Sequence, residues 1–577
     1  MAAPAPTPVA PGYWRRDLLC LTVAFAILFF FRLGTSPLAN PDEGRYAEIA
    51  REMVVSGDWV TPRLNGVNYF EKPPLVYWVT AVGLSLFGDG EWVARVAPAL
   101  FALGGVLLTY AATRRLYGRW PGIAAAVVLG TSLFYYIMGR SLFLDMSVSV
   151  LMSATLFCFI LAVRTPVSAG WGGGARRWFF YGLYISAALA TLTKGMIGFM
   201  VTGAVMFCWL LIFNQWRYLR PLYLPSGVAL FLAVALPWHI LAALRNETWV
   251  QRYIVYEHFE RFLTPAASRE GPPWYFIPII LVGLFPWVGF LWPAVRAWFA
   301  GGWKRRAEHA DRWFFVTWFG FIFLFFSVSS SKLPPYILPV FPALAVIFGR
   351  WIGSRFERAD DAPVRGGTWL FAAVAATLAV LVILAVTQPK VADLAEELAR
   401  GLRPTAFAAA ATLLLGAGAC VWLGLRRGAR AAFGVVAATM LAFYLVLSFG
   451  NLPDSIKPGT KALALIVKAR AQPGDRVVHY HEFFHDFTFY ADRVVDVVAF
   501  QGELQLNEDA GAQASGRFMD EATFRRLWDG PQRVFAVARR RDLDRRADGQ
   551  VTLFTDPTFR YHLLGETRRH YLFSNHP

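Results

Sequence analysis

The sequence predicts an α-helical integral membrane protein with about thirteen transmembrane helices, followed by a small α/β domain. Of the 577 residues, 56% are hydrophobic and only 16% are charged, whereas soluble domains carry about a quarter of charged residues. Apolar stretches long enough to cross a bilayer recur through the first 450 residues. From residue 451 onward, the pattern changes to short alternating runs that are typical of strands.

Thirteen apolar stretches are interpreted as membrane spans, because a helix of about 20 residues crosses the hydrocarbon core. They lie at about 17–33, 93–113, 121–139, 145–163, 179–193, 196–213, 225–244, 274–295, 313–328, 334–350, 368–386, 404–424 and 431–449. The stretch 74–88 is short for a span and is typical instead of a helix in the membrane interface.

Basic residues mark one side of the membrane. Alternate connections carry them, at Arg15/Arg16, Arg114/Arg115/Arg119, Arg164/Arg176/Arg177, Arg217/Arg220, Lys304/Arg305/Arg306, Arg350/Arg355/Arg358 and Arg426/Arg427/Arg430. An excess of Lys and Arg indicates the cytoplasmic side. The N-terminus is then cytoplasmic, the first helix is uncleaved, and an odd number of spans places the C-terminal tail outside.

The net charge of +17 does not indicate a nucleic-acid partner. Residues 451–577 contain 18 basic and 17 acidic residues, so the excess lies among the apolar helices. The four cysteines lie in apolar runs and form no metal-ligand pattern. Charge and cysteine usage therefore fit membrane topology.

The C-terminal residues predict an α/β domain on the outer side. The runs RVVHYH, RVVDVVAF, RVFAVAR and YHLLGE resemble strands, and helix-like stretches lie at about 459–470, 519–528 and 541–547. The predicted domains are therefore 1–450 and 451–577. Three histidines in HYHEFFH (His479, His481 and His485) lack a second ligand pair at the spacing of a zinc site.

The first outer loop, from about 34 to 92, begins with a helix signal. Asn40 can cap a helix, Pro41 suits its first turn, and Asp42 and Glu43 meet its positive end. Asp42 has two interpretations, a group that serves only the helix dipole and a functional carboxylate. Glu43 is assigned to the dipole.

Glu71 and Lys72 lie between aromatic residues and two prolines in the same loop. Ionisable groups at membrane depth are expensive and indicate function. The alternative is an interfacial ion pair with a lysine that extends toward water.

Further outer loops carry more ionisable residues. Asp145 opens the fourth span, as a helix cap or as a catalytic or donor-binding carboxylate, and Lys194 follows the fifth span, where a lysine often extends toward water. His258 and Arg261 are three residues apart and share a helix face. His258 is either a hydrogen-bonded structural group or a metal ligand.

Lys332 and Tyr336 flank two prolines at the mouth of the tenth span, so that they present a cation and a phenol at the outer face. Helix-end placement alone is the alternative. Cations collected at a membrane surface suit a lipid phosphate. Carboxylates among them suit sugar hydroxyls, amines, a metal or acid–base work. Phosphate-binding glycine loops and GxSxG are absent from the sequence, so no nucleotide cofactor is expected.

Four motifs resemble polytopic GT-C glycosyltransferases, and among them the bacterial lipid A aminoarabinose transferases, which are related to protein O-mannosyltransferases. They are Pro41-Asp42-Glu43-Gly44-Arg45-Tyr46, Tyr69-Phe70-Glu71-Lys72-Pro73-Pro74, Tyr256-Glu257-His258-Phe259-Glu260-Arg261-Phe262 and Ser331-Lys332-Leu333-Pro334-Pro335-Tyr336-Ile337-Leu338. The resemblance covers about residues 1–450.

The resemblance implies transfer of 4-amino-4-deoxy-L-arabinose from an undecaprenyl-phosphate donor to a phosphate of lipid A. It implies a monomer in the bacterial inner membrane, with the active site and the C-terminal domain in the periplasm, and resistance to polymyxin and other cationic peptides. The chemistry of such a transfer then predicts catalysis by Asp42 and Asp145 and a divalent metal, zinc, on Glu71 and His258. It predicts that the lipid phosphate is bound by Lys72, Arg261, Lys332 and Tyr336.

Three alternatives remain open at this stage. One is a GT-C enzyme that uses another polyprenyl-phosphate sugar, with a protein or glycan acceptor. Another is a lipid-sugar transporter, although the charged residues cluster at one face and no internal repeat is visible. The third is a sensor whose outer domain binds a partner.

Overall fold

A computed structural model describes residues 13–166, 174–260, 271–358, 362–387, 396–450, 459–500, 502, 504, 506, 509–543 and 552–577. The chain divides into two compact units. The first unit comprises 1–33, 95–241 and 253–450, and the second comprises 34–94, 242–252 and 451–577. One division between the units falls after Gly450, and residues 34–94 and 242–252 cluster with the C-terminal residues. The predicted division into 1–450 and 451–577 stays a prediction.

Helices dominate the first 450 residues. The α-helices are Trp14–Phe30, Asp42–Ser56, Leu75–Phe87, Glu91–Tyr117, Arg119–Thr131, Leu133–Gly139, Leu144–Arg164, Gly174–Lys194, Ile197–Phe213, Leu224–Arg245, Phe276–Gly283, Leu291–Trp298, Ala310–Val328, Phe341–Arg358, Ala362–Thr387, Glu396–Arg427 and Ala429–Leu447. Shorter helical segments are Trp216–Leu219, Val250–Glu260, Trp287–Phe290, Trp303–Arg305 and Pro334–Val340.

Eight helices within the described residues are long and apolar enough to cross a membrane. Two further pairs pass the same test together but are bent, by 67° within 119–139 and by 102° within 276–298. The sequence predicts one span in each of these places, and the structure adds that the helix breaks at Ser132 and around Pro286. The stretch 74–88 forms a helix of 13 residues, Leu75–Phe87.

Small residues let helices of the first unit approach closely. Helix Arg119–Thr131 packs against Phe341–Arg358. A Cβ atom on Gly349 would lie 2.6 Å from the Cβ of Ala125, and one on Gly353 would lie 2.4 Å from the backbone nitrogen of Pro121. Two glycines four residues apart therefore form the contact surface, as is common between membrane helices.

The second unit contains a six-stranded sheet. Its strands are β3 (Arg476–Tyr480), β4 (Asp496–Val498), β5 (Phe518–Met519), β6 (Val534–Arg539), β7 (His562–Glu566) and β8 (His570–Ser574), in the order β5-β4-β3-β6-β8-β7. The first four in that order are parallel, and β8 pairs antiparallel with both β6 and β7. The helices are Lys461–Arg470, His485–Ala491, Ala510–Ala514, Glu521–Trp528 and Arg540–Leu543, with a short 3₁₀ turn at Leu553–Thr555.

The predicted α/β pattern is confirmed in outline, with differences. All four predicted strands and three predicted helices are present, but β5, β8 and the helices His485–Ala491 and Ala510–Ala514 were not predicted. The predicted helix 541–547 is described only to Leu543, and the rest lies outside the described residues. The predicted strand 493–500 forms ladder pairs only at Asp496–Val498.

The first outer loop is part of the second unit through specific hydrogen bonds. It contains helix Asp42–Ser56 and a hairpin of β1 (Arg63–Leu64) and β2 (Val67–Asn68). The side chain of Asn65 donates to the carbonyl of Val495 (2.9 Å) and accepts from its amide (2.8 Å). A Cβ atom on Gly44 would lie 2.5 Å from the amide nitrogen of Asp486, so helix Asp42–Ser56 contacts helix His485–Ala491 directly.

Candidate active site

In the first unit, three predicted or noted residues from distant parts of the chain meet. Asp145 lies in the first turn of helix Leu144–Arg164, and Lys194 ends helix Gly174–Lys194. The ammonium group of Lys194 donates a short hydrogen bond to Asp145 Oδ1 and lies 4.7 Å from the centre of the Tyr336 ring. A carboxylate, an ammonium group and a phenol ring therefore lie together here.

The placement of Asp145 and Lys194 bears on their sequence interpretations. Phe143 precedes the helix that contains Asp145, and no side chain caps that helix, so Asp145 is not an N-cap. Lys194 does not merely extend toward water, because its side chain is 16% exposed and forms an ion pair with Asp145. Sequence reasoning noted Lys194 without giving it a role. Its signal was a lysine surrounded by apolar residues at a helix end.

Lys332 lies in the same unit, at the turn that precedes Pro334–Val340. Lys332 is 7% exposed, and its ammonium donates to the carbonyl oxygen of Ser329 at 2.6 Å. Two residues after Lys332, Pro334 and Pro335 begin the 3₁₀ segment that carries Tyr336. The prolines therefore fix the turn between the cation and the phenol.

In the second unit, Asp42 is the first residue of helix Asp42–Ser56. Its carboxylate lies 3.7 Å from the guanidinium of Arg45, and 40% of its side chain is exposed. The predicted cap at Asn40 is wrong, because Asn40 hydrogen-bonds Asp486 instead. The carboxylate of Glu43 accepts from the amide of Ala39 at 2.9 Å. Glu43 thus serves the helix start, and Asp42 remains accessible.

Glu71 and Lys72 follow a buried tyrosine. The ammonium of Lys72 donates to the carbonyl oxygen of Glu71 at 2.8 Å. Burial, followed by the charge of Glu71, raises the pKa of the Tyr69 hydroxyl well above its usual value, while the charge of Arg45 lowers it. Tyr69 therefore lies close to Glu71 and Arg45. Its buried hydroxyl has no hydrogen-bond partner among the described residues.

Two predicted site residues are only partly covered by the structure. His258 lies in the helical segment Val250–Glu260, but its side chain is outside the described residues, and so is all of Arg261. Among described residues, no group of three His, Cys, Asp or Glu side chains is arranged to hold a metal ion. The roles of His258 in metal binding and of Arg261 in phosphate binding stay predictions.

Two histidines of the C-terminal domain, His479 and His481, have structural partners. His479 Nδ1 accepts from the amide of Phe484 at 3.2 Å, and burial, followed by the nearby His570, lowers its pKa to about 3. His481 Nε2 lies 2.6 Å from a carboxylate oxygen of Glu521. His479 and His481 thus contact different partners, Phe484 and Glu521.

Comparison with known proteins identifies relatives. Residues 71–241 match the family of dolichyl-phosphate-mannose-protein mannosyltransferases. The undecaprenyl phosphate-α-4-amino-4-deoxy-L-arabinose arabinosyl transferase of Edwardsiella ictaluri is 34% identical over 334 residues, which is 58% of each chain. The chain thus aligns over somewhat more than half the length of that relative.

Solved structures extend the match to nearly the whole chain. ArnT from Cupriavidus metallidurans bound to undecaprenyl phosphate matches with a TM-score of 0.83 and 29% identity, covering 98% of both chains. The apo state of the same protein matches with a TM-score of 0.82 and 30% identity, covering 97% of this chain and 98% of that chain. The expected family resemblance is confirmed, and the chain belongs to the ArnT family of polytopic GT-C glycosyltransferases.

Proposed function

We propose that the protein transfers 4-amino-4-deoxy-L-arabinose from undecaprenyl phosphate to a phosphate group of lipid A, at the periplasmic face of the bacterial inner membrane. The full-length match to ArnT bound to undecaprenyl phosphate carries this proposal. The product bears a cationic sugar, which lowers the negative charge that attracts polymyxin and other cationic peptides.

The reaction is a displacement at the anomeric carbon. An oxygen of the acceptor phosphate forms the new bond, and the bond to the donor phosphate breaks with its electron pair leaving on undecaprenyl phosphate. The acceptor is already ionised near pH 7, so the protein supplies alignment and stabilisation of charge more than a general base. Attack in line with the leaving group inverts the sugar.

Cations stabilise the charge that develops on the leaving phosphate. In the first unit, Lys332 and Arg261 take this role, and the hydroxyl of Tyr336 donates a hydrogen bond. In the second unit, Lys72 takes it. The contact between Lys194 and Asp145 supports an addition, in which Lys194 joins the phosphate-binding cations and Asp145 orients it.

Carboxylates recognise the donor sugar in this proposal. Asp42 is accessible at a helix start and suits the donor amine or the positive character of the anomeric carbon. Asp145 has the same chemistry, and it forms an ion pair with Lys194. Neither carboxylate needs to accept a proton during the transfer.

Zinc on Glu71 and His258 remains a separate proposal. Two protein ligands are too few for a structural site, so water or substrate must complete the coordination. A bound zinc ion would supply Lewis-acid stabilisation of phosphate charge. Elemental analysis of the purified protein and of the Glu71→Gln variant tests this proposal. The proposal requires stoichiometric zinc in the wild type and loss of that zinc in the variant.

The membrane arrangement is also proposed in detail. Thirteen crossings result if the eight spanning helices and the two bent pairs are joined by Trp14–Phe30, Gly174–Lys194 and Ile197–Phe213. The basic connections then face the cytoplasm, the N-terminus is cytoplasmic, helix Leu75–Phe87 lies in the interface, and the C-terminal domain is periplasmic. Reporter fusions at the loops test the orientation, and light scattering tests the proposed monomer.

Transfer by the purified protein tests the function. Proteoliposomes receive the undecaprenyl-phosphate aminoarabinose donor and lipid A, and the modified lipid A is measured by mass spectrometry. Formation of aminoarabinosylated lipid A supports the proposal. A donor with another sugar that reacts instead would favour a different polyprenyl-phosphate-dependent transferase, and tight binding without turnover would favour a transporter.

A further inference from the structure

The second unit contains a cavity of about 710 Å³ whose walls come from distant parts of the sequence. Asn40 and Pro41 line one side, directly before Asp42. Residues 482–485, which follow β3, line another side. Further walls come from the end of β6, from the turn between β7 and β8, and from residues 500, 502 and 504.

Basic side chains dominate this cavity. Among the described residues of its lining, five are arginines, Arg539, Arg540, Arg541, Arg568 and Arg569, and Glu482 is the one acidic residue. Five guanidinium groups around one cavity favour an anionic ligand, because each presents donors that match phosphate or carboxylate oxygens.

The arginines differ in how far other side chains neutralise them. Arg539 contacts Glu482, and Arg540 donates to Glu566 at 2.6 Å. Arg541 lies 3.6 Å from Asp542. In contrast, the guanidinium of Arg569 has no ion-pair partner in the part of the chain that the structure describes. Its positive charge therefore remains available to a ligand.

The positive charge of the cavity lowers the pKa values of neighbouring groups. Burial, followed by the charges of Arg539 and Arg569, lowers the pKa of His570 to about 4. Burial, followed by the charges of Arg541 and Arg569, also lowers the pKa of Arg539. Like charges are thus held together here, which an anionic ligand would relieve.

His485 gives an independent indication of a ligand. It lines the cavity and is only 9% exposed. Its Nε2 has no hydrogen-bond partner among the described residues, although buried polar groups normally have one. Burial, followed by the charge of Arg45, holds its pKa well below the usual value, so the imidazole is neutral.

The size of the cavity restricts the ligand further. Pockets for small molecules measure roughly 300–1,000 Å³, so a bare phosphate ion would fill little of this one. A phosphorylated sugar matches both the volume and the arginines. The cavity also borders the residue before Asp42, where the proposed sugar donor is recognised.

We propose that this cavity binds the phosphorylated sugar head group of the acceptor lipid, with Arg569 and Arg541 on a phosphate and His485 hydrogen-bonded to the head group. The identity of the acceptor rests on the proposed function. The assignment gives the C-terminal domain a role in binding the acceptor.

Calorimetry on the full chain in nanodiscs tests this assignment. The probes are a bisphosphorylated glucosamine disaccharide, the same disaccharide without phosphates, and inorganic phosphate. We expect the bisphosphorylated probe to bind, the unphosphorylated one not to bind, and inorganic phosphate to bind more than about tenfold more weakly. Arg569→Gln should weaken binding of the bisphosphorylated probe about tenfold, the usual effect of one charge-assisted hydrogen bond, and Arg569→Lys should weaken it less.

Arg526→Gln is the matched control, because Arg526 is an exposed arginine of the same domain outside the cavity. It should bind like the wild type. Equal binding of the disaccharide with and without phosphates, or unchanged binding by Arg569→Gln, would overturn the assignment. Inorganic phosphate that binds as tightly as the disaccharide would overturn the head-group part and leave a site for free phosphate.

Transfer kinetics separate this inference from the proposed function. We expect Arg569→Gln to raise KM for lipid A about tenfold, with kcat and the KM for the donor unchanged. Wild-type transfer together with an unchanged KM in Arg569→Gln would refute the cavity assignment alone. Arg569-dependent binding of the disaccharide without any transfer would refute the proposed function and retain the cavity as a site for phosphorylated sugars.

Discussion

Lys194 and Asp145, which are 49 residues apart in the sequence, form an ion pair in which the Lys194 ammonium donates to Asp145 Oδ1. Both side chains are 16% exposed, so neither is fully hydrated. The same ammonium lies over the ring of Tyr336. Asp145 lies at the start of one helix, Lys194 ends a second, and Tyr336 belongs to a 3₁₀ segment. The ion pair therefore connects three helical segments of the first unit.

Removal of either partner should impair both stability and transfer. Lys194→Met or Asp145→Asn leaves one poorly hydrated group without its counter-ion, which should cost about 2 kcal/mol of unfolding free energy. A double-mutant cycle of kcat and stability measures the coupling. We expect the double variant to be no worse than the worse single variant. Simple addition of the two single effects would show that the residues act independently.

Asp42 and Glu43 offer a matched pair, because they are adjacent carboxylates at one helix start. Asp42→Asn should lower kcat about a hundredfold, as expected when a charge near the transition state is lost, and leave stability unchanged. Glu43→Gln should instead cost about 1 kcal/mol of stability through the bond to the Ala39 amide, with kcat retained. Enzyme kinetics and thermal unfolding of both variants decide. An active Asp42→Asn variant would restore the helix-dipole interpretation.

Lys72 should matter for the donor phosphate more than for folding. Its ammonium donates to the backbone carbonyl of the preceding residue. We expect Lys72→Ala to insert into the membrane normally and to lose transfer by about tenfold or more. Lys72→Arg should keep part of the activity because it keeps the charge. Transfer rates at matched protein levels give the comparison. Full transfer by Lys72→Ala would remove it from the phosphate-binding cations.

Acid should destabilise the second unit through its buried histidines. The pKa of His570 is lowered to about 4, chiefly by burial, whereas an unfolded chain binds this proton near pH 6.5. Its contribution to stability is complete above about pH 6.5 and is lost as the pH falls toward 4. Between pH 7 and 5, His570→Gln should therefore lose about 2 kcal/mol less stability than the wild type. Thermal unfolding at both pH values tests this, and parallel losses would contradict it.

Much of the fold followed from the sequence because hydrophobic length is a direct signal. All thirteen predicted stretches overlap helices. The strand β8 (His570–Ser574) was missed since it lies between β6 and β7 and is largely buried, which removes the alternation that reveals an exposed strand. The strand β5 has two residues, and only its pairing with β4 defines it. The breaks inside 119–139 and 276–298 depend on tertiary packing.

The candidate site was predictable by residue type but not by partner. The motifs around Asp42, Glu71 and Lys332 attracted attention because ionisable residues are rare beside apolar spans. The contact of Lys194 with Asp145 depends on how two helices pack, and no spacing in the sequence encodes it. The arginine-lined cavity combines residues near 40, 485, 540 and 569, and a domain with nearly balanced charge conceals such a local excess.

Mass spectrometry of lipid A tests the central claim most directly. Cells that contain the aminoarabinose donor and lack this protein are compared before and after its expression, with the Asp42→Asn variant alongside. The account predicts a mass gain of one or two aminopentose units on lipid A with the wild type and none with Asp42→Asn. An unchanged lipid A, with the protein present in the membrane and the donor present in the cell, would contradict the assignment of the aminoarabinose transfer.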